Sequence, residues 1–241
     1  MKLQLVTYLD KIDEKSKILI DNCKKNNVKL DICGLGIPWS KRRNIKIKWM
    51  KSYFDKKNIS ISEKKKIILL FVDGHDILLN NYNPDKIIKE YLSHNCDILY
   101  STQRRRNDVK NIYGPKFCNT INEDNKLYRY NIELNNKNYN KFFGLKNDLI
   151  LNCGVCCAKY EVLEKYVNFL ENQYNNLRSN DKKFFELEKI HPNMTGDQLL
   201  IHYLYKIGKL NDFKIKTDIN HKIYFQDKKY KNSYLIYNYS E

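Results

Sequence analysis

Apolar and polar residues alternate from the start of the chain, in Leu3-Gln4-Leu5-Val6, and predict a strand over Lys2–Tyr8. Helical spacing follows at Ile18, Leu19, Ile20 and Cys23, within Asp13–Lys25. Val28–Cys33 is strand-like again and stops at Gly34-Leu35-Gly36, and Ile45–Phe54 reads as a short basic helix. Lys66–Val72 is a near-continuous apolar run, the pattern of a strand buried on both faces of a mainly parallel sheet. Asn83 suits an N-cap and Pro84 the first helical position, so a helix is expected over Pro84–Ser93 and a further strand over Asp97–Ser101. Residues 104–147 break the pattern. They are rich in Asn, Lys and Tyr and are expected to form a long surface excursion with room for one hairpin. Beyond them come a strand, Leu149–Ala158, and a helix, Tyr160–Asn175. A second helix, about Gly196–Ile207, follows Thr195 as N-cap, and one or two strands fall within Lys214–Gln226. Strands alternating with helices predict an α/β fold with a Rossmann-like, mostly parallel sheet flanked by helices. With no repeat and no linker, 1–241 is expected to be a single domain.

Composition narrows the function classes. The 241 residues carry 44 Lys+Arg against 28 Asp+Glu, a net charge of +16. The basic residues are scattered, and Lys, Asn, Ile and Tyr, all with AT-rich codons, are abundant throughout. A solvated basic surface is therefore favoured over a phosphate-tracking groove, and no nucleic-acid partner is expected. Arg104-Arg105-Arg106 is the tightest basic cluster. The longest apolar run, Ile67–Val72, is strand-sized, so no membrane span is expected. The N-terminus has no signal-peptide core, and the compartment stays unassigned. Seven cysteines lack framework spacing. Cys153, Cys156 and Cys157 fall in a strand-like segment and are expected to be buried thiols.

The strongest candidate chemistry follows the apolar strand directly, in Asp73-Gly74-His75-Asp76. Ligands of open α/β sheets bind at the carboxyl ends of strands. Two carboxylates three apart across a turn can converge on a hard cation such as Mg²⁺ or Mn²⁺. The same residues would also serve as a turn cap and an exposed acid. Asp197, in Thr195-Gly196-Asp197-Gln198, either complements a helix dipole or faces the same pocket. Asn152 lies inside an apolar strand and needs a hydrogen-bond partner. Lys46, in a helix rich in basic residues, is by itself one more solvated lysine.

Taken in order, Gly34-Leu35-Gly36-x-x-Trp39, Lys46, Phe71-Val72-Asp73-x-x-Asp76-Ile77-Leu78, Tyr100-Ser101, Leu151-Asn152-x-Gly154, Asp197-Gln198 and Asp218-x-x-His221-x-x-x-Phe225-Gln226 form a longer pattern. It resembles the glycosyltransferase domain of the procollagen lysyl hydroxylase family and, more distantly, the collagen-modifying glycosyltransferases of giant viruses. The resemblance covers roughly Leu3 to Gln226. It implies a GT-A-type glycosyltransferase fold, a UDP-sugar donor (UDP-glucose foremost) and Mn²⁺. The implied activity is glucosyl transfer to galactosyl-hydroxylysine of a collagen-like glycopeptide, or galactosyl transfer to hydroxylysine, with retention at the anomeric carbon. By motif position, Asp73 and Asp76 are the implied metal ligands, and Thr7, Lys46 and His75 the donor-binding residues. Asp197 and Asn152 fall at the acceptor-facing catalytic positions.

Three departures qualify the resemblance. The family's third metal ligand is a His in a Pro-Val-Leu-Ile-His-Gly-Asn-Gly segment, which does not occur in these 241 residues, and His221 does not match it. The loop between Trp39 and Lys46 is shortened, and Thr102-Gln103-Arg104-Arg105-Arg106 stands where the family is acidic. An iron-dependent hydroxylase domain is not expected at this length. Two other classes rank lower. A HAD-type phosphatase places its nucleophile and acid two apart, not three, and a basic nucleic-acid-binding module needs basic patches interleaved with aromatics on one face.

Overall fold

The computed structural model describes residues 1–38, 45–75, 77–104, 137–145, 149–185, 196–220, 222–225 and 233–237. Along these run β1 (Lys2–Tyr8), α1 (Glu14–Lys25), β2 (Leu30–Cys33), α2 (Ile45–Lys56), α3 (Ile61–Lys64), β3 (Ile67–Asp73), β4 (Ile77–Leu79) and α4 (Pro84–Ser93). They continue with β5 (Ile98–Arg104), α5 (Lys137–Phe143), β6 (Leu149–Lys159), α6 (Tyr160–Asn180), α7 (Gly196–Lys206), β7 (Ile215–Thr217), β8 (Tyr224–Phe225) and β9 (Leu235–Tyr237). Helix starts follow the sequence. Asp13 caps α1 in a reciprocal capping box with Ser16, and Asn83 accepts from the Lys86 N–H ahead of Pro84.

The strands form one mixed, mostly parallel sheet in the order β2-β1-β3-β6-β5-β8-β9-β4, with β7 also alongside β5. β1 lies parallel to both β2 and β3, so three strand ends point the same way. β6 is antiparallel to β3 and β5. An apolar run signals burial, not direction, so the antiparallel β6 was not foreseeable from composition. Alternation along β3 divides the core in two. Leu69 and Phe71 join α2, α6 and α7 on one face, through residues such as Phe54, Tyr166 and Leu200. Ile68, Leu70 and Val72 join α1, α4 and β8 on the other, through Leu19, Ile87, Tyr91 and Tyr224. α6 buries Tyr160, Leu163, Tyr166, Val167, Leu170, Tyr174 and Leu177, the three- and four-residue spacing of an amphipathic helix.

Two features displace the expected pattern. The pairing of β5 with β6 jumps from Tyr100↔Cys156 to Ser101↔Asn152, so Cys153, Gly154 and Val155 have no partner on β5. Such a bulge bends a strand and re-aims its side chains. The expected 104–147 surface excursion is also corrected in part. Arg104 belongs to β5, and Lys137–Phe143 is a helix whose Tyr139 and Phe143 are completely buried. Residues 105–136, including Arg105 and Arg106, and 146–148 lie outside the described residues, as do Thr195 and His221. Cys23, Cys33, Cys96, Cys153, Cys156 and Cys157 are free thiols. Burial pushes Cys23 up to about 11 and Cys96 to about 12, consistent with inert core residues. Among the described residues, no helix is long and apolar enough to cross a membrane.

Helix α5 is fastened to α7 by a buried contact of 3.0 Å between the Tyr139 hydroxyl and His202 Nε2. Burial pushes the His202 imidazole from 6.5 down to about 4. The unfolded chain therefore takes up a proton between pH 6.5 and 4 that the folded chain refuses. Its stabilising contribution is complete above pH 6.5 and is lost as pH falls, by up to about 3 kcal/mol at pH 4. Urea unfolding across this window should show that loss, with a clearly shallower slope in His202→Gln. Equal slopes in the two proteins would remove His202 as the cause.

Candidate functional site

At the common end of β1 and β3, Tyr8 pairs with Asp73. Gly74 follows, where a Cβ would come within 2.7 Å of the Tyr8 carbonyl oxygen and 2.4 Å of the Leu9 side chain. Glycine is thus required for the chain to turn this close to β1. The first turn of α2 delivers Lys46 to the same place. Its ammonium donates to Asp73 Oδ1 at 2.6 Å and lies 5.5 Å from the centre of the Tyr8 ring. The lysine side chain is 12% exposed and the aspartate 30%, so the pair is largely sheltered yet open on the carboxylate side. Burial disfavours the charged lysine, but Asp73 and Asp197 outweigh it and raise its pKa above the ordinary value. Lys46 is therefore a fixed cation serving two carboxylates. Tyr8, buried beneath it, is held well above its usual pKa by burial first, then by the negative groups around it.

The β6 bulge supplies the opposite wall. Asn152 Oδ1 accepts the Gly154 N–H at 2.7 Å, closing a local Asx turn. The Ser101 hydroxyl donates to the Asn152 carbonyl at 2.9 Å and lies 3.1 Å from its Oδ1. A Cβ on Gly154 would stand 2.8 Å from Asn152 Oδ1 and 3.1 Å from Asp73 Oδ2. Glycine thus keeps Asp73 open on its second oxygen. α7 approaches over the bulge, with Gln198 Oε1 3.5 Å from the Cys153 N–H, and beside it Asp197 is only 8% exposed.

Asp73, Lys46, Asn152 and Asp197 are therefore brought into one neighbourhood. Thr7 is adjacent in β1 but completely buried, and its hydroxyl donates to the Val72 carbonyl at 2.9 Å, a bond within the sheet. His75 is partly exposed, with Nε2 3.4 Å from Asp13 Oδ1. Asp76 lies outside the described residues. Sequence reasoning overlooked Ser101 as the residue fixing Asn152, although its place in the Tyr100-Ser101 pair was visible.

A second constellation lies on the other face of the sheet. Glu90, His94 and Asp218 each offer one ligand atom, all within 4.8 Å of one another, close enough to hold a metal ion. The signal in the sequence was Glu90 and His94 at helical i,i+4 spacing. Their partner is far along the chain, which hid the set. No protein-family model matches the chain, and no curated protein matches it significantly.

Replacing Lys46 by Met should leave the sheltered Asp73 carboxylate without its ammonium partner and cost about 1–3 kcal/mol in chemical denaturation. The double variant Lys46→Met/Asp73→Asn should recover part of that loss, a coupling that a double-mutant cycle measures. Strict additivity would mean that the 2.6 Å contact carries no coupling.

Proposed function

We propose that this chain is a metal-dependent glycosyltransferase of GT-A type. It transfers a hexose, glucose foremost, from a UDP-sugar to galactosyl-hydroxylysine in a collagen-like glycopeptide. The observation that carries this reading is the Lys46–Asp73 pair at the carboxyl end of β3, with Asp197 acting on the same ammonium. Support also comes from the Rossmann-like run β2-β1-β3, whose parallel strand ends form the usual ligand crevice of open α/β sheets.

Asp73 has the chemistry of a Mn²⁺ ligand. Its carboxylate is a hard oxygen donor, and glycine at 154 leaves space beside its second oxygen. On this reading Asp73 and Asp76 hold the ion. When bound, the ion supplies charge neutralisation at the diphosphate leaving group. The protein's own groups do the rest. Lys46, protonated and held in place by Asp73, offers N–H donors to the departing diphosphate. Asn152, whose Oδ1 is committed to Gly154 and Ser101, has its carboxamide oriented before any ligand arrives. Asp197, behind Lys46 on α7, orients the acceptor or the transferred sugar. Lys46 and Asp197 are sheltered, while Asp73 stays open to an incoming ligand.

The deciding experiment incubates purified protein with Mn²⁺ and a panel of nucleotide sugars, with and without a galactosyl-hydroxylysine peptide and a hydroxylysine peptide, reading released nucleoside diphosphate. UDP release stimulated by the glycopeptide is expected. No turnover with any UDP-sugar would overturn the reading.

Variants separate the roles. Asp73→Ala should abolish Mn²⁺-dependent UDP binding in calorimetry while circular dichroism stays unchanged. Asp197→Ala should bind UDP nearly as the wild type does but lose transfer by about 10²-fold or more. Unchanged UDP affinity in Asp73→Ala, or wild-type turnover in Asp197→Ala, would reassign these residues.

A further inference from the structure

Helix α4 ends at Ser93, and His94 caps it. Glu90 and His94 are one turn apart on the same helix face, so their side chains meet. Glu90 Oε1 lies 3.4 Å from His94 Nε2, and the imidazole nitrogen is shielded from solvent yet makes no hydrogen bond. Asp218 approaches from the other side. It stands where the chain leaves β7 and returns as β8, both parallel to β5. Its carboxylate accepts the N–H groups of Lys222 at 3.2 Å, Ile223 at 2.6 Å and Tyr224 at 3.3 Å. Those bonds fix the direction of a carboxylate that is only 1% exposed, and Oδ1, which accepts only the Lys222 N–H among them, keeps further acceptor capacity.

The three ligand atoms lie within 4.8 Å of one another. Metal bonds of about 2.0–2.2 Å at tetrahedral angles place ligand atoms about 3.3–3.6 Å apart, which the Glu90–His94 separation already satisfies. One imidazole with two carboxylates is a zinc-type donor set, and three protein ligands leave a fourth position open. Position on the helix helps as well. α4 has no basic residue in its last turn, so a cation at its C-terminus meets the negative end of the helix dipole without competition from its own side chains.

We propose that Glu90, His94 and Asp218 form a zinc site distinct from the Asp73 neighbourhood, clamping α4 to the β7–β8 turn. The two places lie on different layers. Tyr91 and Tyr224 beside the triad belong to the core face of α1 and α4, whereas α2 and α7, which carry Lys46 and Asp197, cover the opposite face. The site makes the turn at Asp218 a fastening between α4 and the strands beside β5.

The test uses the whole chain, stripped of metal, and titrates Zn²⁺ alone, without nucleotide or sugar. One equivalent should bind in calorimetry and raise the melting temperature, and Co²⁺ in its place should give visible d–d absorption of a low-symmetry nitrogen–oxygen site. Asp73→Asn should retain the zinc equivalent, which separates this site from the proposed Mn²⁺ site. His94→Gln should weaken zinc binding by about tenfold or more. If that variant is not folded by circular dichroism, Glu90→Gln on the flank of α4 serves the same purpose, since it removes a ligand without touching the Asp218 turn. Failure of the wild type to take up zinc, or equal zinc affinity in wild type and folded ligand variants, would overturn the proposal.

Discussion

A carboxylate at the end of a fully buried strand must be neutralised, and much of this molecule is arranged around that need. Ile68, Leu69, Leu70, Phe71 and Val72 are completely covered, and the next residue is Asp73. An ionised acid at that position is unfavourable unless a cation and hydrogen-bond donors come to it. The cation is Lys46, and its placement demands that α2 start where it does, with Ile47, Trp49, Met50, Tyr53 and Phe54 buried beneath it. Gly34 follows from the same packing. At φ +93° its missing Cβ leaves room for the Trp49 ring, which a side chain would approach within 2.5 Å. The Trp49 N–H then donates to the Ile37 carbonyl at 3.1 Å and ties the chain beyond β2 to the helix.

The β6 bulge solves the complementary problem on the far side. A regular antiparallel β6 would keep its partners on β5 in step past Asp73. Three residues without a β5 partner instead swing Asn152 and Gly154 round the strand end, where one hydrogen-bonds the other and the second stays small. Because Ser101 sits at the register shift and bonds Asn152 itself, the irregularity is held by side-chain hydrogen bonds. It is part of the site's construction, as bulges beside functional sites commonly are.

How much of this was legible depended on how local the cause was. The capping box of Asp13, the Asn83-Pro84 helix start and the apolar run of β3 are short-range signals, and their elements fall within a residue or two of expectation. β4 and β9 were not foreseen. Each has three residues and exists because Ile77–Leu79 pairs with Leu235–Tyr237, a contact no local window contains. α5 was hidden in Asn- and Lys-rich sequence, although Tyr139 and Phe143 stand at i,i+4 spacing. The acidic turn after β3 was visible as candidate chemistry. Lys46 entered beside it only through the family resemblance, because by residue pattern alone one lysine among many becomes distinctive only when the fold buries it.

Burial of Lys46 also bears on whether a lysine and a divalent ion can share Asp73. Direct competition for one oxygen would set the ion's binding against a strong, sheltered ion pair. The geometry divides the carboxylate instead. Oδ1 takes the ammonium, and Oδ2 faces the open side created by Gly154. On the proposed reading the two positive groups therefore act side by side, and their mutual repulsion is offset by Asp197 acting on Lys46 from α7. The second carboxylate then has an electrostatic reason to be nearly buried: it stabilises a lysine that the first carboxylate must share.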